Sequence, residues 1–245
     1  NNDLLAVDRF SEGHTMSRSM RLAIRPFGVL GTRLTAIGAV KKVGQAPVPG
    51  FPIVDPAGLP FIRNGPRGAS GASGEIYRWL GIADEESFPT PVREAITAPL
   101  QAALQYYGLH GCIHVAGPDF NGRGCSREEA LGELTAAYGA VLRTFAGARL
   151  GGLRLLPISG GLFAGPFAPE LPDLTCAALR GAFDALPDPA QHTVSVSRLE
   201  MCIFAESEYE AYAAAFEGET RRSQQFADSL GMGSTPVQPW QTGRE

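Results

Sequence analysis

The 245-residue sequence lacks the features of several large protein classes. No apolar stretch approaches the ~20 residues that a membrane-spanning helix needs. The chain carries 21 basic and 25 acidic residues, and its net charge is −4. This mild acidity argues against a broad surface for nucleic acid or anionic membranes. We therefore expect neither a membrane nor a nucleic acid as the partner.

Cysteine is scarce, and no two of its four positions form a CxxC pair: Cys112, Cys125, Cys176 and Cys202. This spacing argues against a structural zinc site. Cys112 and Cys202 lie in strand-like runs, where cysteine behaves as a small buried apolar residue. The amino terminus has neither the basic start nor the apolar middle of a secretory signal. These observations predict a reduced, intracellular protein, either cytoplasmic or nuclear.

Common catalytic and cofactor motifs are also missing. The chain has no GK[ST] ending of a P-loop, no strand-adjacent GxGxxG, and no GxSxG elbow. His110 and His114 lie in a stretch that is typical of a loop leading into a strand, where residues four apart are separated by ~13 Å. This spacing favours packing or hydrogen bonding of the two side chains over binding of one metal ion. The sequence thus predicts no cofactor and no metal.

Short apolar runs alternate with helical patterns along the chain. Strand-like runs occur at 20–26, 34–40, 51–54, 112–116, 153–158 and 194–204. Because the later runs are separated by helices, crossover connections are expected. The pattern predicts an α/β protein, a three-layer α/β/α sandwich with a mixed, mostly parallel central sheet.

Helix-start signals support this organisation. Ser126 with Glu129 forms a capping box before an apolar stripe of helical period, and Ser207 with Glu210 forms another, opening a helix through about Phe216. Further helices are predicted after the glycine-rich loop (74–80), from Thr90-Pro91 with a kink or division at Pro99, and over 174–186. The predicted divisions are an arm at 1–19, one domain at 20–217, and a loose tail at 218–245.

A glycine-rich segment, 64–81, lies just past a predicted strand, where open α/β sheets usually bind ligands. Its glycines stand three apart and directly precede a helix, so backbone NH groups there could approach a phosphate. Arg63 and Arg67 flank the loop and could reach the same anion. The alternative is an ordinary surface loop with solvated arginines.

The segment SGGLFAGPF, 159–167, also follows a predicted strand. Gly160, Gly161 and Gly165 could wrap NH groups around another side of a phosphate, with Ser159 as a cap. Phe163 offers a flat apolar face that can cover a sugar or a base. Alternatively, the segment is a tight connection with Phe163 folded into the core.

The order of these motifs resembles that of the macro domain, an ADP-ribose-binding module. The matching stretches are IVDPAG (53–58), GASGEIYRWLGI (71–82), CIHVAGPDF (112–120), PISGGLFAGPF (157–167) and MCIFAESEYEAY (201–212). The resemblance covers roughly residues 20–217. It implies the α/β/α fold and, as partner, ADP-ribose or an ADP-ribosylated protein.

The chain also departs from the family pattern. Gly38-Ala39-Val40 stands where the family has a GDI-like sequence whose Asp binds adenine, and Asp55 and Gly58 stand at the two Asn of the NAAN motif. Gly58 removes the usual contact to the distal ribose. Ser73 matches an Asp common in de-ADP-ribosylating members. Phe204 matches an aromatic position that stacks on adenine, although a core position is an equal alternative.

Together these comparisons predict one ligand site built mainly from backbone. Its residues are Asp55, Gly58, Gly71, Ala72, Ser73, Gly74, Ser159, Gly160, Gly161, Leu162, Phe163 and Phe204. The leading hypothesis is binding of ADP-ribose or a related phosphorylated nucleotide through the glycine-rich loops. The alternatives are a degenerate macro domain acting as a non-catalytic interaction scaffold, and an ADP-ribosyl hydrolase with atypical catalytic residues.

Overall fold

The central element is a seven-stranded sheet, seen in a computed structural model that describes residues 19–229 and 241–242. The strands are β1 Leu22–Arg25, β2 Thr32–Leu34, β3 Val40–Lys42, β4 Ile53–Asp55, β5 Ala102–Tyr107, β6 His110–Val115, β7 Gly152–Leu155, β8 Arg198–Cys202 and β9 Gln241–Thr242. The sheet order is β5-β6-β4-β7-β8-β1-β9, and β2 pairs with β3 in a separate hairpin. Within the sheet only β5 runs antiparallel to its neighbour.

Helices cover both faces of the sheet. They are α1 Leu59–Asn64, α2 Gly71–Leu80, α3 Thr90–Ala95, α4 Arg127–Ala148, α5 Leu171–Asp184, α6 Asp188–Val196 and α7 Glu206–Ser229, with a 3-10 segment at Gly161–Glu170. Val54 packs into a core with α4, α5 and α7, whereas its neighbour Ile53 packs into a second core with α1, α2 and α3. Successive strand residues face opposite sides, so the two cores confirm the predicted three-layer sandwich. No helix in the described residues is long and apolar enough to cross a membrane.

Local signals placed several elements correctly. The Ser126–Glu129 capping box forms: Ser126 Oγ accepts the Glu129 NH, and the Ser126 NH donates to Glu129 Oε2 at 2.7 Å. Cys112 and Cys202 are buried as predicted. Capping satisfies amides that have no intrahelical partner, which is why this helix start could be read from sequence.

Three predicted elements differ from the structure. The run 34–40 is not one strand: its residues 35–39 form the turn between β2 and β3, because Gly38 adopts a positive φ and the Thr35 side chain bonds the Ala39 backbone. Residues 194–196 end α6 instead of beginning β8. The last helix starts one residue before the predicted cap Ser207 and continues to Ser229, past the expected start of a tail at 218. The arm predicted at 1–19 lies, except for Ser19, outside the described residues.

Candidate functional site

Two segments leave the same edge of the sheet: residues 56–58, which follow β4, and the 159–165 loop, which follows β7. Strands β4 and β7 are parallel neighbours, so their carboxyl ends lie side by side. A methyl group added at Gly58, after β4, would lie 3.1 Å from Cζ of Phe163, which follows β7. The segment 159–165 therefore meets the residues that lead from β4 into α1. The start of α2 also lies close to the end of β4, because Ser73 Oγ lies 2.6 Å from Asp55 Oδ1. We call the surface where these three segments meet the crevice.

The glycine-rich loop ends at the start of α2. Gly71 has a φ of 60°, and Ser70 is the residue before the helix. The Gly74 NH donates to the Ser70 carbonyl at 3.2 Å and is used within the helix. The first NH groups of a helix have no intrahelical acceptor, so Gly71, Ala72 and Ser73 are the residues of this loop that can present donors.

The second loop is pinned against residues 117–121. Ser159 is buried with a φ of 61°, and its hydroxyl donates to the Pro118 carbonyl at 2.5 Å. The Phe120 NH donates to the Phe163 carbonyl at 3.0 Å, and the Asn121 amide donates to the Leu162 carbonyl. These hydrogen bonds hold the backbone of the 159–165 segment in place.

The exposed surface of this loop is glycine and leucine. The Gly160 NH donates to the Pro157 carbonyl at 3.3 Å, so it is engaged within the loop. Gly161 begins the 3-10 segment with a φ of 60° and open space around it, and the Leu162 side chain is 81% exposed. The NH groups at this start, like those of α2, lack an intrahelical acceptor. Gly161 and Leu162 are thus the best-placed donors of the segment.

Asp55 lies beneath the crevice rather than in it. Its side chain is fully buried, accepts a hydrogen bond from Ser73 Oγ at 2.6 Å, and lies 2.7 Å from His114 Nδ1. The other ring nitrogen of His114 lies 2.9 Å from the Tyr107 hydroxyl. Asp55 can therefore influence a ligand through Ser73, and its burial argues against a direct contact.

Two further titratable groups, the Tyr77 hydroxyl and the Cys112 thiol, lie near these hydrogen bonds. The Tyr77 hydroxyl is buried and makes no hydrogen bond of acceptable geometry. Burial, and then the nearby Asp55 carboxylate, raise the pKa of Tyr77 well above its ordinary value. Burial likewise raises the pKa of the Cys112 thiol, with Asp55 adding to the effect. Both groups are neutral at physiological pH, so neither is a ready nucleophile.

Phe204 lies after β8 at the same edge of the sheet. The residue is 39% exposed, so it lies at the surface and not in the core, where an aromatic ring is accessible to a ligand. Its backbone carbonyl accepts the Leu34 NH at 2.9 Å, and its ring packs near Gly28. The stretch Gly38-Ala39-Val40, matched to the adenine-binding sequence, lies instead at the tip of the β2–β3 hairpin and the start of β3. This stretch therefore does not lie at the end of a strand of the central sheet, as the motif match required.

The flanking arginines point elsewhere. Arg63 donates to the Thr97 carbonyl, and Arg67 donates to the Asp84 carbonyl and pairs with Glu86. His110 packs against Trp79 at 4.3 Å between ring centroids. Within the described residues, no group of three or more His, Cys, Asp or Glu side chains could hold a metal ion. These side chains thus add nothing to the backbone site.

Sequence reasoning missed the roles of His114, Tyr107 and Tyr77. A signal existed for Tyr77, which lies four residues after Ser73 on α2 and so shares its face of the helix. Asp55 and His114 are register partners on adjacent parallel strands, and the sequence does not reveal that register. Tyr107 required knowledge of β5, whose pairing with β6 the sequence pattern did not reveal.

Structural comparison finds the macro-domain fold, although no protein-family model and no curated protein matches the sequence. A point mutant of the Oceanobacillus iheyensis macrodomain has a TM-score of 0.52 and 15% identity, covering 82% of this chain and 93% of that chain. The same macrodomain with ADP has a TM-score of 0.51 and 14% identity, covering 80% and 90%. A Trypanosoma brucei macrodomain has a TM-score of 0.50 and 16% identity, covering 78% and 65%. The chain therefore has the macro-domain fold, and identities this low extend the likeness no further.

Proposed function

We propose that this protein binds ADP-ribose or a related phosphorylated nucleotide at the carboxyl edge of its sheet. The observation that carries the proposal is the contact of Phe163 with Gly58, which brings the 159–165 loop against the end of β4. Ser73 Oγ bonds Asp55 at the end of the same strand, so the backbone NH donors of Gly71–Ser73 and those of Gly161–Leu162 lie at one edge of the sheet. Such donors at helix starts favour phosphate because they combine hydrogen bonds with a favourable dipole. The macrodomain solved with ADP supports the same ligand class.

Isothermal titration with ADP-ribose and with ADP tests this proposal. Gly161→Glu places a carboxylate in open space beside the proposed phosphate, and we expect it to weaken binding by at least about tenfold, or ~1.4 kcal/mol. Gly108→Glu is the matched control: Gly108 also has a φ of 60° and open surroundings, but it lies in the β5–β6 turn at the opposite edge. The two variants share the backbone strain and differ in position.

Two results would contradict nucleotide binding. One is the absence of heat from the wild-type protein with either ligand at millimolar concentration. The other is an equal loss in both glutamate variants, since a general destabilisation and not the crevice would then be responsible.

A non-catalytic interaction scaffold is the second candidate. The aromatic ring against Gly58 and the buried position of Asp55 favour it over an enzyme, because both reduce the polar groups available in the crevice. Hydrolysis of an ADP-ribosyl bond stays a hypothesis, tested by release of ADP-ribose from a modified protein. A protein that binds neither nucleotide yet stays folded would support the scaffold.

A further inference from the structure

Strand β5 forms one edge of the central sheet, and its six residues, Ala102–Tyr107, include no charged side chain. An open edge pairs readily with another chain, and native edge strands are usually short or carry lysine, which prevents such pairing. Strand β3 follows this rule, since two of its three residues are Lys41 and Lys42. β5 has neither protection, so its outer side is a candidate for pairing with another strand.

The register between β5 and β6 determines which backbone groups of β5 face outward. The Ala116 NH donates to the Gln101 carbonyl at 3.0 Å, so residues 101 and 116 form a hydrogen-bonded pair. In an antiparallel ladder such pairs recur at every second residue, and the residues between them turn their NH and carbonyl groups away from the neighbouring strand. The residues of β5 in this outward position are Ala102, Leu104 and Tyr106. Within the part of the chain that the structure describes, their NH groups donate to no acceptor.

The outer side of β5 is accessible to solvent. Tyr106 is 47% exposed, and Ala102, Leu104 and Gln105 are half-buried. The Gln105 amide donates to the Tyr106 carbonyl at 2.9 Å, but a carbonyl oxygen can accept a second hydrogen bond. Leu109, in the turn that follows β5, is 73% exposed and extends the apolar surface. A second strand can therefore reach the outward NH and carbonyl groups.

We propose that β5 pairs antiparallel with β5 of a second copy of this chain, which joins the two sheets into one. A two-fold axis perpendicular to the sheet at Leu104 places Leu104 opposite its own copy and Tyr106 opposite Ala102. All outward-facing residues then form hydrogen-bonded pairs, with about six hydrogen bonds between the two strands. The same axis places Gln105 opposite Ala103. Tyr106 and Gln105 thus each face an alanine, and no charges meet across the pair.

The chemistry of the edge favours a second copy over another partner. β5 has no charge that would attract an acidic or a basic segment, whereas its small residues come first and its large ones last, which makes it complementary to itself in an antiparallel pair. Self-pairing of β3 would instead place Lys41 opposite its own copy, which is unfavourable. One strand pair buries little area, and interfaces below about 1,200 Å² are typical of weak complexes. We therefore expect a dissociation constant on the order of 10–100 µM. This inference does not depend on the proposed function.

Sedimentation velocity over about 5–500 µM, a range that brackets this dissociation constant, tests the dimer. The wild type is expected to pass from monomer to dimer. Leu104→Lys and Leu104→Glu each place like charges opposite one another at the axis and should weaken the dimer at least about fivefold. An equimolar mixture of the two variants places lysine opposite glutamate and should recover the dimer. Ile37→Lys is the matched control, because this 86% exposed residue of the β2–β3 turn gains the same charge away from β5, and it should dimerise like the wild type.

A second variant keeps the test independent of the packing of Leu104, which contacts the core that contains α4. Tyr106→Pro removes an outward NH and no hydrogen bond between β5 and β6, so it should weaken the dimer while the hairpin forms. Thermal unfolding identifies the variants that fold, and Tyr106→Pro carries the test if the charged variants do not.

Three results would overturn the inference. The first is a wild type that stays monomeric throughout this range. The second is a dimer that folded Leu104 and Tyr106 variants leave unchanged, because another surface then joins the two copies. The third is a mixture of folded Leu104→Lys and Leu104→Glu that stays monomeric, which contradicts pairing about Leu104.

Discussion

His114 Nδ1 lies 2.7 Å from Asp55 Oδ2, and both side chains are fully buried on adjacent parallel strands. Ser73 Oγ bonds the other carboxylate oxygen, and the Tyr107 hydroxyl bonds the far side of the imidazole. This chain of hydrogen bonds connects the first turn of α2 to the edge strand β5. In a low-dielectric interior such a network is stabilising only while every member has its partner, so it ties the position of the glycine-rich loop to the sheet.

Asp55→Ala should destabilise the protein by about 3 kcal/mol or more, because it removes one partner of a buried pair and leaves His114 without it. Asp55→Asn should cost much less, about 1 kcal/mol. Its amide oxygen can still accept from Ser73, and its NH₂ can donate to Nδ1 once the imidazole proton moves to the nitrogen that faces Tyr107. Urea unfolding of the two variants measures the difference. Equal losses would show that the hydrogen-bond pattern is unimportant.

Tyr107→Phe tests the far end of the network. The change removes the hydroxyl that lies 2.9 Å from His114 Nε2 and should cost about 1 kcal/mol, the net value of one hydrogen bond. Tyr106→Phe is the matched control, since its side chain is the neighbouring one on β5 and is 47% exposed. We expect the control to change the free energy of unfolding by no more than a few tenths of a kcal/mol. An identical effect of both changes would argue that the bond to His114 contributes nothing.

The sequence predicted those parts of the fold that depend on local signals. The β1, β6 and β7 regions were recognisable as strand-like runs, and Ser126 with Glu129 identified the start of α4 from four consecutive residues. The order of the ligand loops along the chain also indicated the fold. Each of these features is encoded by neighbours in sequence, where periodicity and capping operate.

Features that depend on distant contacts could not be read in this way. Asp55 and His114 are 59 residues apart. Asp55 was expected in the ligand site from its match to the NAAN motif, and nothing local in the sequence indicates that it is buried. The ring of Phe163 approaches Gly58 across about a hundred residues, and the sequence left both a ligand-facing and a core position open for it. The prediction of a strand at 34–40 was wrong for a related reason. The apolar Ile37 is 86% exposed, so the apolar residues of this run did not indicate a buried strand.

Ser159 combines an unfavourable backbone with a favourable side-chain bond. Its φ of 61° disfavours side chains, and its hydroxyl donates to the Pro118 carbonyl. Ser159→Ala keeps the strain and loses the bond, so it should destabilise by about 1 kcal/mol. Ser159→Gly loses the bond but relieves roughly 1 kcal/mol of left-handed strain, so it should be near neutral. Thermal unfolding should therefore rank glycine above alanine, and the reverse order would show that φ at this position is not strained.

Glu200 gives the fold a predictable acid sensitivity. The residue is 2% exposed and pairs with Arg25 on one carboxylate oxygen and Arg154 on the other, with Arg198 also in contact. Burial alone would raise the pKa of this carboxyl group, but the hydrogen bonds from Arg154 and Arg198 and the charge of Arg25 outweigh it and hold the pKa below the ordinary 4.5. The unfolded chain therefore binds a proton at a higher pH than the folded protein does, and acid favours unfolding.

Glu200→Gln should lower the free energy of unfolding at pH 7 by about 3 kcal/mol, since it leaves the arginines without their shared carboxylate. The stability difference between wild type and variant should be complete above pH 4.5, the ordinary pKa of glutamate, and should shrink as the pH falls through the lowered pKa of the folded protein. Urea unfolding in steps from pH 7 to pH 3 measures this difference. Glu86→Gln, at a side chain that is 85% exposed and paired with Arg67 at 3.4 Å, should show almost no difference at any pH. If the stability difference between wild type and Glu200→Gln stays constant down to pH 3, the arginines do not lower the pKa of Glu200.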